Sequence, residues 1–517
     1  MLLRKNRRNI IMKLKKLLSM SLCLVMTVGL LAGCGKESGD NNDSNENVKS
    51  PDPGTAAGDL VIDGLGTDEN ADYTVEGTVT VAVDTARATD YEALFDALQQ
   101  AYPNLEISFD YFSHSTEDSA AEYLSTRAAA GKLPDIVWDE AGKVPLYVSQ
   151  GWVYPLDEFV KDDPDFQYVP QNLVDNYTYC GKLYALPHQA HFELMYVNLD
   201  ALDSHNLDMP ALDWTTDDFE SYLKASTDTT YSGMENLGQM PSLLVSTFNP
   251  NTSMMGYDEE ARRFDVSGVV RSYQYCLDIR NIPGVDAQSL KRSISGGESD
   301  YVKKFGGSSS GFEQGRTLFH GVGTWELADA QNRWADKNWT YWTIPQSPDG
   351  IGVMPYHVDH CFMTTSCENT RAAWQVLRFL TYSTEGNLAR LSMYDEKNDG
   401  KYMTINKLYY PTTNNPKVAE KFESLPGVQE VDKYLFENIG NCKRFDLLKI
   451  VPSWNDVRSN YFSSDAMKTL WDGTSSMVEP VLNDTGNKAN KAMEDAWRTF
   501  EEKVLNVQKE FEQNHTN

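Results

Sequence analysis

Thr78-Val79-Thr80-Val81-Ala82-Val83 is a run of β-branched and small apolar residues, and together with the two stretches after it, it decides the fold. From Asp90 through Tyr102 the pattern becomes helical, with Leu94, Phe95 and Leu98 on one face and Pro103 as the stop. Leu105-Glu106-Ile107-Ser108-Phe109-Asp110-Tyr111 then alternates apolar with polar residues. A period of two fits a half-buried strand and a period near 3.6 fits a helix, so the three stretches read as strand, helix, strand. Two strands joined by a helix run parallel in one sheet, which is the opening of an α/β unit.

The alternation continues along the chain. A helix over 120–131 leads through Pro134 to a buried strand at Asp135-Ile136-Val137-Trp138. Further strands are expected at 183–187, 194–197, 322–325 and 360–364, and helices at 216–225, 269–281, 371–382 and 490–507. Trp214, just before a helix capped by Thr215 or Thr216, fits a hydrophobic staple. No internal repeat marks a solenoid or propeller.

The N-terminus carries Arg4, Lys5, Arg7, Arg8, Lys13, Lys15 and Lys16 without an acid, then the apolar stretch Leu17 to Leu31, then Ala32-Gly33-Cys34. A basic segment, a short apolar core and small residues are the parts of an export signal, too short to span a membrane comfortably. Gly35 to Asp72 is Gly, Ser, Asp, Asn, Glu and Pro with hardly an aromatic, so it reads as a flexible tether. The remaining body of about 440 residues is too long for one core and suggests two domains.

The formal net charge is -29 at pH 7, and loss of the basic leader would make the remainder more acidic still. Such a surface repels phosphate backbones, which excludes nucleic acid as a partner. Cys23 and Cys34 belong to the leader region, and Cys180, Cys276, Cys361, Cys367 and Cys442 form no Cys-x-x-Cys spacing. No disulfide framework, structural zinc or other cofactor is expected.

Five further stretches carry a family resemblance. They are Pro134-Asp135-Ile136-Val137-Trp138-Asp139-Glu140-Ala141-Gly142, Gly151-Trp152-Val153-Tyr154-Pro155-Leu156-Asp157, Gly181-Lys182-Leu183-Tyr184-Ala185-Leu186-Pro187, Gly315-Arg316-Thr317-Leu318-Phe319 with Gly323-Thr324-Trp325-Glu326, and the helix from Ala372 to Asn387. Together, and in this order, they resemble the extracellular solute-binding proteins that feed sugar-type ABC importers. Leu31-Ala32-Gly33-Cys34 resembles the lipobox of bacterial lipoproteins, which implies lipid attachment at Cys34 and residence on the outer side of the cell membrane.

The resemblance implies an α/β, periplasmic-binding-protein-like fold of two lobes joined by hinge strands, with the ligand in a central cleft. It implies chain crossings near 186–191, 356–362 and 409–413. The expected organisation is a signal peptide over 1–33, a tether over 34–76, a first lobe from 77–187 with 360–408, and a second from 188–359 with 409–510. The partners implied are a carbohydrate and the importer's membrane subunits, with the receptor acting as a monomer.

A sugar offers apolar C–H faces edged by hydroxyls, so its receptor needs flat rings and directional polar groups. Trp138, at a strand end, is expected as a wall, with Asp139 or Glu140 as hydroxyl acceptor. Trp325, followed by Glu326, matches the tryptophan at which relatives stack a ring on ligand. Trp152 and Trp374 read as packing residues because their neighbours are apolar.

His188-Gln189-Ala190-His191 and His357-Val358-Asp359-His360 fall on the implied crossings. Imidazoles beside a carboxylate invite a metal reading. In extended chain, however, side chains three apart point to opposite faces, so each pair could present only one member easily. Contacts from His188, His191, His357, Asp359 and His360 to ligand hydroxyls are the preferred expectation.

A lipid-anchored glycan-processing enzyme is the competing class, since hydrolysis needs two spaced carboxylates and acids abound here. No Gly-x-Ser-x-Gly, His-Glu-x-x-His or phosphate-cradling Gly-x-x-x-x-Gly-Lys is present, and the expectation is a binding protein, not an enzyme. A surface adhesin is the third reading, and it would need no hinged cleft.

Overall fold

Val79, Val81 and Val83 alternate with smaller residues, and in the computed structural model they lie in β1 (Gly77–Asp84), whose last four residues are all buried. The structure describes residues 62, 64–85, 92–113, 119–139, 142–290, 298–348, 353–394 and 408–515. A parallel neighbour, β2 (Leu105–Phe112), pairs Leu105 with Gly77, and β3 (Ile136–Asp139) lies on the other side with Ile136 opposite Val81. Helices Glu92–Ala101 and Ser119–Ala129 make the connections. The opening strand–helix–strand reading therefore holds to within a few residues.

Downstream, β4 (Thr178–Tyr179) and β5 (Lys182–Leu183) form a short hairpin before β6 (Leu186–Asn198). Two strands were expected here, and the chain instead makes one strand of 13 residues, buried throughout. At ~3.3 Å per residue that is about 43 Å, long enough to serve two pairing partners in succession. β7 (Ser232–Met234) follows, then the small hairpin β8 (Tyr257–Asp258) and β9 (Arg263–Phe264). The last strands are β10 (Thr317–Gly323), β11 (Trp339–Trp342), β12 (Pro355–Met363) and β13 (Lys443–Arg444).

Among the described residues nine strands join in one sheet, in the order β2-β1-β3-β12-β6-β10-β7, with β11 added to β6 and β13 to β12. Two strands carry the chain across its middle. β6 pairs with β12 through its first half, Leu186 to Phe192, and with β10 through its second, Glu193 to Val197. β12 in turn pairs with β6 over Tyr356 to Cys361 and with β3 over His360 to Met363. A bridge between Ala190 and Tyr410 adds a third strand-like contact at the same level.

The helix Thr216–Ala225 begins as its sequence predicts. Thr215 Oγ1 accepts from the Asp218 backbone while the Asp218 carboxylate accepts from the Thr215 backbone, and Trp214 packs on Phe219 at 5.7 Å. Trp374 is core, stacked on Phe159 at 5.0 Å. Among the described residues no helix is long and apolar enough to cross a membrane.

Two boundaries need correction. The tether expected to run to residue 76 ends earlier, because Asp68 pairs with the buried Arg378 at 2.6 Å, Tyr73 donates to Glu385 at 2.9 Å and Val75 is buried. One of its acids, Asp68, is the counter-ion of a cation 310 residues away. The closing helix spans Ser475–His515, and its last turns leave the segment to which they were assigned. Phe511 meets Tyr154 at 4.8 Å and Gln508 donates to Tyr184 at 3.0 Å. The expected signal, Cys34 and most of the tether lie outside the described residues.

Candidate functional site

Alternation along β6 and β12 sorts the side chains at the crossing into two faces. His191 stands opposite His357 and Gln189 opposite Asp359 in the antiparallel register, so these four, with Glu193, share one face. His360 takes the other, and the register shift between Asp359 and His360 sets His188 against Trp138. The Asp359 carboxylate is the centre of a buried polar floor: Lys449 Nζ donates to Oδ1 at 2.6 Å, and Gln189 Nε2 donates to Oδ2 at 2.7 Å. His191 Nε2 is 3.2 Å from the same Oδ2.

Lys449 also pairs with Asp446 at 2.8 Å, and Arg444 Nε donates to Asp446 at 2.7 Å. His357 Nε2 lies 3.0 Å from Glu193 Oε1. Buried charges persist only when paired, and here every carboxylate of the floor faces a cation or an imidazole.

The protonation states follow from this packing. Burial alone would raise the Asp359 acid, but the Lys449 ammonium and the His191 contact hold it well below the usual carboxylate range. Burial would likewise neutralise Lys449, and Asp359 with Asp446 keep it charged. For His191 burial wins over the attraction of Asp359, so the ring is neutral at pH 7. A neutral ring that donates from Nε2 has a lone pair on Nδ1, and that buried atom has no hydrogen-bond partner among the described residues. It can accept from a hydroxyl.

Trp325 stands over this floor. β10 ends at Gly323, a short 3₁₀ turn carries Thr324–Glu326, and the indole is 43 % exposed, an unusual position for so large an apolar ring. It meets His357 nearly edge-on at 4.8 Å and His191 at 6.4 Å, and Tyr409 approaches His191 at 5.2 Å. Gly323 permits the arrangement, since a Cβ at that position would fall inside the indole. Exposed ring, neutral imidazole acceptor and fixed polar floor make a surface suited to an uncharged molecule with C–H faces and hydroxyl edges.

Several expected contacts are placed elsewhere. Trp138 is 1 % exposed and packs against Phe95 at 5.5 Å and His188 at 4.6 Å, so it is a core residue and not a wall. His188 is fully buried beside it, with neither ring nitrogen hydrogen-bonded among the described residues. His360 is buried next to Tyr177 at 5.3 Å. Trp138 and His360 sit at adjacent register positions and point to opposite faces, and all three are core because both faces of the sheet are covered at this level. The Asp139 backbone pairs with His360, and Glu140 lies outside the described residues. Glu326 is exposed beside Trp325.

The structure thus brings together Trp325, His191, His357 and Asp359. It adds Gln189, Glu193, Tyr409, Asp446 and Lys449, which sequence reasoning missed. The pairing of β6 with β12 could have flagged Gln189. Nothing local points to Lys449, 90 residues beyond its partner. Among the described residues no group of three His, Cys, Asp or Glu side chains could hold a metal ion.

Residues 93–420 match the family described as bacterial extracellular solute-binding protein. The fold is shared with solved structures of low sequence identity. A sugar transporter from Rhizobium etli, in an open conformation, is 19 % identical, covers 80 % of this chain and 98 % of its own, and gives a TM-score of 0.60. An ABC substrate-binding protein from Listeria monocytogenes, in complex with cycloalternan, is 16 % identical over 81 % and 99 % of the two chains, with a TM-score of 0.57. A solute-binding protein from Thermotoga lettingae bound to α-D-tagatose is 17 % identical over 81 % and 100 %, with a TM-score of 0.52.

Proposed function

This chain belongs to the bacterial extracellular solute-binding protein family, a non-catalytic component of transport, and from that premise we propose that it captures a carbohydrate for an ABC importer. The observation that carries the reading is the exposed Trp325 indole above a neutral His191 whose Nδ1 has no partner among the described residues. An aromatic face covers sugar C–H groups, and a fixed acceptor orients a hydroxyl. Sugars named with the neighbouring structures support the ligand class.

In this reading the first lobe combines 77–187 with 360–408 and the second 188–359 with 409–510, save the last turns of the closing helix. β6, β12 and the Ala190–Tyr410 bridge are the three hinge crossings. Ligand that touches both lobes favours the closed state by its differential affinity, and the importer's membrane subunits recognise that state. Cys34 carries the lipid that holds this monomeric receptor at the outer face of the membrane.

The test is a thermal-shift and calorimetric screen of mono- and oligosaccharides. A cognate sugar raises Tm and titrates to one equivalent at the Trp325 site without product formation. Turnover of the glycan, or no response across the panel, overturns the reading.

A further inference from the structure

The ring, His191 and the floor suit the uncharged body of a sugar, and one edge of the same surface carries a charge that none of them answers. Glu193 stands opposite Gly323 in the antiparallel register of β6 and β10, and side chains directly opposite in such a pair project from the same face ~5 Å apart. The Trp325 indole lies where a Cβ on Gly323 would stand, so the Glu193 side chain rises beside the ring. His357 closes the triangle, with Nε2 3.0 Å from Glu193 Oε1 and its ring nearly edge-on to the indole at 4.8 Å.

The Glu193 side chain is 10 % exposed, and its Oε1 is engaged by His357. Oε2 accepts no hydrogen bond among the described residues and is not sealed from solvent, so a guest lying on the indole can reach it. Neither Glu193 nor the exposed Glu326 pairs with a lysine or arginine among the described residues. The cations of the floor are engaged elsewhere, Lys449 by Asp359 and Asp446, and Arg444 by Asp446. A carboxylate nine-tenths buried with only an imidazole beside it carries a desolvation cost that a cationic guest offsets.

An indole face and a carboxylate oxygen side by side are complementary to one kind of group. An ammonium is attracted to the negative face of the ring and donates charge-assisted hydrogen bonds to the carboxylate, whereas a hydroxyl gains less from both and an anion is repelled. On the reading of this surface as a carbohydrate site, we propose that its guest is an amino sugar, a mono- or oligosaccharide in which a hydroxyl is replaced by a protonated amine. That amine sits between Glu193 Oε2 and the Trp325 ring, with Glu326 adding to the field.

The probes are matched pairs: D-glucose with D-glucosamine, D-galactose with D-galactosamine, and cellobiose with chitosan disaccharide. They are titrated calorimetrically into the protein at about pH 6.5, where the amines are protonated. N-acetyl-D-glucosamine, which keeps the nitrogen without its charge, and D-glucuronate, which reverses the charge, are the controls. At least one amine is expected to bind ~tenfold or more tightly than its neutral partner, and the N-acetyl form is expected to show no such advantage. Glu193→Gln keeps the size of the side chain and removes its charge, and should bring the affinity ratio of that pair to within about twofold of one. Glu326→Gln, at an exposed position, should lower the same ratio about twofold and covers the case in which Glu193→Gln folds poorly. A ratio near one in every pair that binds, an equal advantage for the N-acetyl form, a preference for glucuronate, or a ratio untouched by both substitutions overturns the proposal and leaves the carbohydrate reading standing. No binding by any amine overturns it as well, and the screen of mono- and oligosaccharides decides the carbohydrate reading separately.

Discussion

Lys449 Nζ lies 2.6 Å from Asp359 Oδ1, and both side chains are almost wholly removed from solvent. The pair joins a segment 90 residues further along the chain to the crossing strand β12, beneath the ring that stands in the candidate site. Lys449→Met leaves the Asp359 charge buried against Gln189 and His191 alone. The expected loss is ~3–5 kcal/mol of unfolding free energy in urea. The double variant Lys449→Met with Asp359→Leu should recover a large part of it. A single-variant loss below about 1 kcal/mol would show that the pair is not held as described.

Trp325→Ala removes a ring that is nearly half exposed, so its packing contribution is small. Sugar affinity should fall by on the order of 2 kcal/mol, about thirtyfold, while Tm of the free protein stays nearly unchanged. A large drop in Tm with little change in binding would make Trp325 a packing residue.

Gly323→Ala tests the same ring without removing it. The added methyl occupies the place of the indole, so Trp325 must swing away from His357. Its φ is ordinary for an L-residue, so the effect is steric and not conformational. Reduced sugar affinity with an altered tryptophan emission spectrum is expected, and wild-type values for both would refute the placement of the ring.

The buried histidines set an acid limit on stability. Burial holds His188 and His360 well below the ordinary imidazole value, lowers His191 and pushes His320 down to about 4. These rings stay neutral in the fold while the unfolded chain takes up protons below about 6.5, so stability falls as pH drops through that value. Tm should decline between pH 7.5 and 5, and His188→Leu should flatten the decline, since its ring nitrogens make no hydrogen bond among the described residues. An identical slope in the variant would exclude His188 as a contributor. Asp359 acts lower: its stabilisation is present above about 4 and is lost only as pH falls towards its depressed folded value.

Arg378 is buried among Asp68 at 2.6 Å, Asp163 at 2.5 Å and Asp165 at 3.0 Å. Arg378→Met leaves those carboxylates facing each other, and residues 64–76 should detach first. Hydrogen exchange at Asp72 and Val75 should accelerate more than at β1, and uniform protection across both would contradict this.

The α/β pattern and the order of elements were legible because β-branched runs and helical periods are local properties. The capping of Thr216–Ala225 was legible for the same reason. Trp325 could be singled out because its neighbours matched a family motif, and the split of each His-x-x-His pair because alternation along a strand needs no partner. Which member of each pair would face the site did not follow, since that depends on which strand lies alongside and on what covers each face. Trp138 was misread because a tryptophan at a strand end looks the same whether the next layer is solvent or Phe95.

By itself, then, the amino-acid order determined the elements and their class, which rest on interactions within about a dozen residues, while the candidate ring was marked by its match to a family motif. Only the tertiary structure decided that β6 is one strand, that Lys449 neutralises Asp359 and that Asp68 ties the segment 64–76 to Arg378. Those outcomes turn on burial and on ion pairs between distant segments, whose energies exist only once the low-dielectric interior has formed.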